Sequence, residues 1–284
     1  MKRAIEKADI LIEALPYIKK FQHRIMVVKC GGRQLINDEN INNILKDIAF
    51  MNCVGLNPVL VHGGGPSISE KLRKLGHIVE FRHGQRVTDA KTLAVVVEEL
   101  NMLNREMVKK INSFGVKARG LSGNSGKLIK AMKFSSGVDI GFVGEVAAIR
   151  KEVVKKLLKR NYVPVISPLG IGSDGQLYNI NADVVAAEIA AALGAWKLVL
   201  LTDVQGILRN PSDKSSLIST LKMAQVEDLV KKGIITEGMI PKVGACTAAL
   251  KKGVKKTHII DGSIPRSLLL EIFTDQGVGT QIIK

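Results

Sequence analysis

Aromatic residues make up only 4% of the 284-residue chain, with a single tryptophan. That scarcity argues against a protein that reads single-stranded nucleic acid through stacked bases, because such surfaces are built on aromatic platforms. Cysteine is nearly as rare. Cys30, Cys53 and Cys246 lie far apart and form no C-x-x-C pair, so neither a disulfide framework nor a cysteine-ligated zinc site is expected, and the thiols read as reduced and structural. No apolar run reaches membrane-spanning length. Asp9 and Glu13 interrupt the apolar stretch that a secretory signal needs, and the Ser-rich, acid-poor character of a transit peptide is missing. The expectation is a soluble protein of a reducing compartment with no membrane partner.

What the chain does have is positive charge. Its formal net charge is +16, which raises nucleic-acid binding as a possibility. The basic residues, however, form scattered pairs such as Lys19-Lys20, Lys109-Lys110, Lys155-Lys156 and Lys251-Lys252, mostly in or beside helical patterns. Solvated helix faces explain that distribution better than a nucleic-acid footprint. The excess also suits anionic substrates.

Ile5, Ala8, Ile12 and Leu15 fall at helical spacing and predict an amphipathic helix over 3–15, ending near Pro16. From residue 25 the pattern alternates. Short apolar, β-branched runs at 25–28, 58–61, 163–166, 198–201 and 257–260 alternate with helical segments near 40–53, 67–75, 88–112, 151–160, 182–193, 223–231 and 239–252. A short strand is also expected at 116–118. Fully apolar strands separated by helices predict an α/β fold with a largely parallel sheet covered on both faces. The alternation restarts after Gly194–Lys197, so a lobe boundary is placed there: an N-terminal helix over 1–20, one lobe over 21–195 and a second over 196–284.

In such a sheet, ligands bind where the strands' carboxyl ends meet the following loops. Two of those ends carry glycines: Lys29-Cys30-Gly31-Gly32, and His62-Gly63-Gly64-Gly65-Pro66, which opens a helix. Glycines let backbone N–H groups approach an anion, the helix N-terminus adds its positive dipole end, and Pro66 suits a first helical turn. A run of three glycines is costly in chain entropy, which favours a bound ligand over a pair of empty turns. Other signals fail. Gly170-Ile171-Gly172-Ser173-Asp174-Gly175 matches G-x-G-x-x-G but no helix follows, so a hairpin is expected there. Gly126-Lys127 lacks the rest of a P-loop, with Leu121 and Leu128 at its key positions. A lipase-type use of the His-Gly-Gly-Gly run needs a G-x-S-x-G elbow, and none is present. His62 is expected to be structural. Lys29, at a strand's carboxyl end, is either an ordinary surface lysine or a cation facing the site.

Taken together, Val28-Lys29-Cys30-Gly31-Gly32, Val61-His62-Gly63-Gly64-Gly65-Pro66, Gly84-Gln85-Arg86-Val87-Thr88, Gly141-Phe142-Val143-Gly144-Glu145-Val146, Asn179-Ile180-Asn181-Ala182-Asp183, Leu201-Thr202-Asp203-Val204-Gln205-Gly206-Ile207-Leu208 and Gly238-Met239-Ile240-Pro241-Lys242 resemble the amino acid kinase family, in particular its acetylglutamate kinase branch. The resemblance runs in order over residues 5–282. It implies a three-layer αβα sandwich with an open, mainly parallel central sheet. It also implies transfer of the γ-phosphoryl of ATP, carried with Mg²⁺ and without a permanent metal, to the side-chain carboxylate of N-acetyl-L-glutamate in arginine biosynthesis. By the same resemblance, Lys29 and Lys242 flank the transferring phosphoryl and Asp183 holds both lysines. Gly64, Gly65, Arg86 and Asn179 bind the acylated amino acid, while Gly31, Gly32, Thr202, Asp203, Gly206 and Ile207 belong to the nucleotide site, making 21–195 the acetylglutamate lobe and 196–284 the ATP lobe.

The chemistry agrees with that assignment. A carboxylate is already ionised at neutral pH and needs no general base, so catalysis can rest on positioning and charge stabilisation. The resemblance also reaches arginine-inhibited members, which share the N-terminal helix and a tail like Gly277-Val278-Gly279-Thr280; it implies a hexamer built through those helices and an arginine effector. In those members an arginine usually follows the Asp-Gly pair and a histidine precedes the leucine run, whereas this chain has Ser263 and Arg266. Cys30 and Gln205 are smaller departures. Photosynthetic relatives imply a P-II-type signalling partner and a plastid stroma; bacterial ones imply a cytoplasmic enzyme.

Overall fold

The computed structural model describes residues 1–284 apart from positions 36, 83, 124, 136, 237, 275 and 276. An eight-stranded sheet forms its centre, in the order Thr220–Lys222, Thr280–Ile283, Lys256–Asp261, Lys197–Thr202, Ile25–Cys30, Asn57–His62, Val163–Ile166, Ala118–Leu121. Every neighbouring pair is parallel except Lys256–Asp261 with Thr280–Ile283. Strand Ile25–Cys30 sits where the order reverses. Its successor Asn57–His62 lies on one side and Lys197–Thr202 on the other, and such a switch point opens a crevice at the strands' carboxyl ends.

Pleating decides which side chains meet there. Val27 enters a core with Val59, Leu198 and Leu200 beneath helices Ala182–Leu193 and Ile240–Lys251, which contribute Val185, Ala186 and Val243. Val28 and Cys30 enter a second core with Leu60 and Val199, covered by helices Asp38–Cys53 and Ala90–Ser113. Successive strand residues point to opposite faces, so two-sided burial makes these runs apolar throughout. Lys29 shares a face with Val27 and therefore points toward the helices that carry Asp183 and Lys242 in their first turns.

A smaller sheet orders Leu177–Asn179, Leu169–Ile171, Ile129–Lys133 and Gly144–Ile149. Its first two strands are the antiparallel hairpin expected from the failed G-x-G-x-x-G motif, closed by Gly172 N–H donating to the Gln176 carbonyl at 2.8 Å. The lobes expected on either side of residue 195 share the central sheet: Trp196 N–H donates to the Ile25 carbonyl at 2.8 Å and Met26 pairs with Lys197.

One expected end is corrected. The N-terminal helix does not stop near Pro16 but runs Lys2–Phe21 through it. Pro16 removes one helical N–H, yet Tyr17 and Phe21 beyond it pack on Met26, Met51, Leu56 and Ile272, and that packing carries the helix past the break. Ile10, Leu11 and Ile12 earlier in the helix are more than 60% exposed.

Candidate active site

Asp183 is the centre of the crevice. Asn181 caps helix Ala182–Leu193 by accepting from the Asp183 N–H at 2.8 Å, which fixes Asp183 in the first turn, where the dipole favours a carboxylate. Its side chain faces the sheet and bridges two ammonium groups: Lys29 Nζ lies 2.8 Å from Oδ1 and Lys242 Nζ 3.6 Å from Oδ2. Burial alone would raise the Asp183 pKa, but the two lysines outweigh it and hold the carboxyl below its usual range. Lys242 sits in the first turn of helix Ile240–Lys251, behind Pro241. A cation is unfavourable at that end of a helix, and Asp183 offsets this.

The glycine loops close around Lys29, each glycine for its own reason. A Cβ on Gly31 would come within 2.7 Å of Lys29 Nζ, and one on Gly64 within 2.9 Å of Leu100 Cδ2. At Gly65 a Cβ would meet nothing within 4 Å, so packing does not demand that glycine. Gly65 opens helix Gly65–Lys74 and lines a cleft of about 230 Å³ with Lys29, Gly32, Arg86, Asn179 and Asp183. First-turn N–H groups lack intrahelical partners and are available to an anion there.

Arg86, only 6% exposed, has one end fixed and one free. Its Nη2 donates to the Gly65 carbonyl at 3.0 Å and to Ser69 Oγ at 2.8 Å, while the guanidinium stacks 4.8 Å from the Phe81 ring. Nη1 is buried and has no partner among the described residues. Burial, and to a smaller degree Arg73, push the Arg86 pKa down, but a guanidinium remains charged at neutral pH. Asn179 Nδ2 donates to Thr88 Oγ1 at 3.3 Å, and Thr88 Oγ1 donates to the Arg86 carbonyl at 2.7 Å. Lys29, Lys242 and Arg86 against the single carboxylate of Asp183 leave the crevice cationic, a field that draws anions.

His62 is not a proton carrier. Asn104 Nδ2 donates to its Nε2 at 3.0 Å, which leaves Nδ1 to donate to the Gly63 carbonyl at 2.9 Å. Burial lowers its pKa to about 4, so the ring is neutral and braces the loop.

The expected nucleotide residues divide into two groups. Gly31 and Gly32 line the cleft. Thr202 ends its strand with Oγ1 donating to the Val204 carbonyl at 2.8 Å, and the turn leaves Asp203 exposed. Gly206 has φ +138° and a Cβ there would lie 2.6 Å from Thr280 Oγ1; the same hydroxyl accepts the Ile207 N–H at 2.8 Å. Ile207 itself is core, 2% exposed. The structure thus brings together Lys29, Lys242, Asp183, Gly31, Gly32, Gly64, Gly65, Arg86 and Asn179, and sets 202–207 one strand away. Sequence reasoning passed over Thr88, Ser69 and Asn104. The only available signal was polarity at positions whose helical or strand register faces inward.

The family model for the amino acid kinase family matches residues 24–261. The chain belongs to the amino acid kinase family. Within it, relatives named acetylglutamate kinase span the whole chain: that of Syntrophomonas wolfei is 50% identical, covering 99% of this chain and 98% of its own length, and that of Heliobacterium modesticaldum is 51% identical over all of both. Among solved structures, the N-acetylglutamate synthase of Neisseria gonorrhoeae complexed with coenzyme A and N-acetyl-glutamate superposes with a TM-score of 0.87 at 26% identity, covering 98% of this chain; the chain spans 63% of that synthase's length. The same synthase complexed with coenzyme A and L-arginine gives 0.83 at 25%.

Proposed function

We propose that this chain is an acetylglutamate kinase, transferring the γ-phosphoryl of ATP to the side-chain carboxylate of N-acetyl-L-glutamate to give N-acetyl-L-glutamyl 5-phosphate. The observation that carries the reading is Arg86 Nη1. Among the described residues it is a charged donor buried without a partner, in a cleft also lined by Lys29 and by Asp183, which bridges to Lys242. A buried donor left unmade is costly, and an acceptor's α-carboxylate supplies the missing bond. The side-chain carboxylate then reaches the lysines as an ionised nucleophile, and Lys29 and Lys242 neutralise charge that spreads over the phosphoryl oxygens. Helix-start N–H groups near Gly65 serve the same end. No proton has to be removed, which fits a neutral His62. Mg²⁺ arrives on the nucleotide, with phosphate oxygens and waters as its main ligands.

The test is ADP release with N-acetyl-L-glutamate against free glutamate. Preference for glutamate overturns the substrate assignment. Arg86→Lys is expected to raise KM for the acceptor roughly 30-fold with kcat changed far less, because an ammonium cannot keep the Gly65 and Ser69 bonds and also pair with a carboxylate.

The arginine effector also finds a place in this reading. A second cavity of about 490 Å³ lies between the N-terminal helix and the far edge of the sheet. In its wall Glu271 Oε1 accepts from Lys197 Nζ at 3.0 Å and from His258 Nε2 at 2.8 Å. Lys20, Lys197 and Lys256 line the cavity against the carboxylate of Glu271, so the α-carboxylate of an amino acid is the group that wall suits. Millimolar arginine is expected to raise Tm and lower the rate; no effect on either rejects the effector. Exposed Ile5, Leu11, Ile12 and Leu15 share one helix face and support the helix-mediated oligomer, and a monomer in sedimentation velocity rejects that.

A further inference from the structure

Gln34 lies in a short 3₁₀ turn, Gly32–Leu35, just past the glycine pair that follows Lys29. It is 2% exposed, and both ends of its amide, Nε2 and Oε1, are buried without a partner among the described residues. The other buried side-chain amides behave differently. Asn52 Nδ2 donates to Asn161 Oδ1 at 3.0 Å, and Asn104 bonds both His62 and the Val165 carbonyl. An amide can make up to four hydrogen bonds, and a core glutamine that makes none is a group waiting for a partner.

Its surroundings say where that partner arrives. The stem is wedged at the carboxyl ends of two strands: a Cβ on Gly262 would come within 3.0 Å of Gln34 Cγ and 3.2 Å of Leu201 Cβ. The amide lies over Gly32, whose added Cβ would sit 3.5 Å from Gln34 Oε1. Gly32 lines the cleft with Lys29. Leu201 precedes Thr202 at the end of the strand on one side of Ile25–Cys30, whereas Arg86 is bonded to Gly65 beyond the strand on its other side. Among the described residues, buried donors without a partner thus lie on either side of the strand that carries Lys29, Arg86 on the acceptor side and Gln34 on the opposite side.

We propose that Gln34 is a nucleotide-contacting residue: with the amide turned so that its NH₂ takes the place over Gly32 that Oε1 holds, it donates to a phosphoryl oxygen of the bound nucleoside triphosphate. The NH₂ adds a directed donor to a crevice whose cations are lysines and an arginine, and it does so without adding charge. Oε1 accepts from a water or a hydroxyl of the nucleotide. The inference rests on the ATP reading above.

Gln34→Met keeps the side chain's length and removes both polar atoms. It is expected to raise KM for ATP about tenfold, to leave KM for N-acetyl-L-glutamate unchanged, and to hold or raise the ligand-free Tm because the unpaired amide is gone. Gln34→Glu is expected to weaken ATP further by placing a carboxylate against phosphate. If the Met variant does not fold, Gln34→Asn, which withdraws the amide by one methylene, takes its place with the same expected rise. An unaltered KM for ATP in the folded variants, with wild-type protein active, overturns this inference alone and marks Gln34 as structural. Wild-type protein that binds no ATP overturns the functional reading and the inference together.

Discussion

Lys29→Met is expected to lower kcat about 10³-fold while changing KM for either substrate only a few-fold. The size follows from where the charge acts. Removing one preorganised donor from a water-poor site, aimed at charge that develops in the transition state, costs about 10²–10³-fold in rate, and Lys29 supplies a full positive charge from a position 8% exposed. No neighbour can replace it. Lys242 is anchored on the other oxygen of Asp183 and reaches from a different helix. Methionine preserves the stem's packing beneath Gly31, whose missing Cβ leaves space for the Lys29 ammonium, so the loop keeps its path. Steady-state kinetics with a parallel melting curve separates the two possible causes: a small change in Tm with the large drop in kcat assigns the loss to chemistry. Unchanged kcat would remove Lys29 from the reaction and leave the crevice without its central cation.

Much of this was legible before any coordinates. Strands such as those at 163–166 and 198–201 were readable because burial on both faces forces an unbroken apolar run, and that pattern needs no knowledge of partners. Helix Ala182–Leu193 was readable to the residue because Asn181 caps one end and Gly194, at φ +62°, ends the other. The strands Thr220–Lys222 and Thr280–Ile283 were not, since three- and four-residue edge strands carry too few positions to show a period. In the site, motif resemblance supplied both the charged residues and the expectation that Asp183 holds the two lysines, while composition and spacing alone did not show that convergence. That Lys29, Asp183 and Lys242 converge depends on strand register: had the strand slipped by one residue, Lys29 would face helix Asp38–Cys53 instead. Gln34 and Thr88 escaped notice for a related reason. Their meaning lies in hydrogen bonds made or missing, and a linear pattern of polarity does not report those.

Asp183→Asn is the change expected to weaken the fold most among the site residues, by about 3 kcal/mol at neutral pH, or roughly 6 °C in Tm for a chain of this size. Asp183 is 5% exposed and its carboxylate is shared by two ammonium groups. An asparagine can accept from one lysine through Oδ1, but its NH₂ then faces the other, donor against donor. Lys242, whose side chain is 26% exposed, can swing toward solvent, whereas Lys29, at 10%, is left charged and buried; the lower end of the range for breaking a buried pair therefore applies. Catalysis should fall with stability, because lysines that repel each other no longer flank one phosphoryl. The pH dependence carries a sign. The folded-state pKa of Asp183 is depressed below the ordinary aspartate value, so its contribution is fully present above the ordinary carboxylate range and is lost as pH falls through the folded value. The gap in Tm between wild type and Asp183→Asn is thus widest near neutrality and closes below about pH 4. A gap that stayed constant down to pH 3 would mean that the carboxylate's charge does not hold the two lysines, and the bridge at the centre of the crevice would have to be read as packing alone.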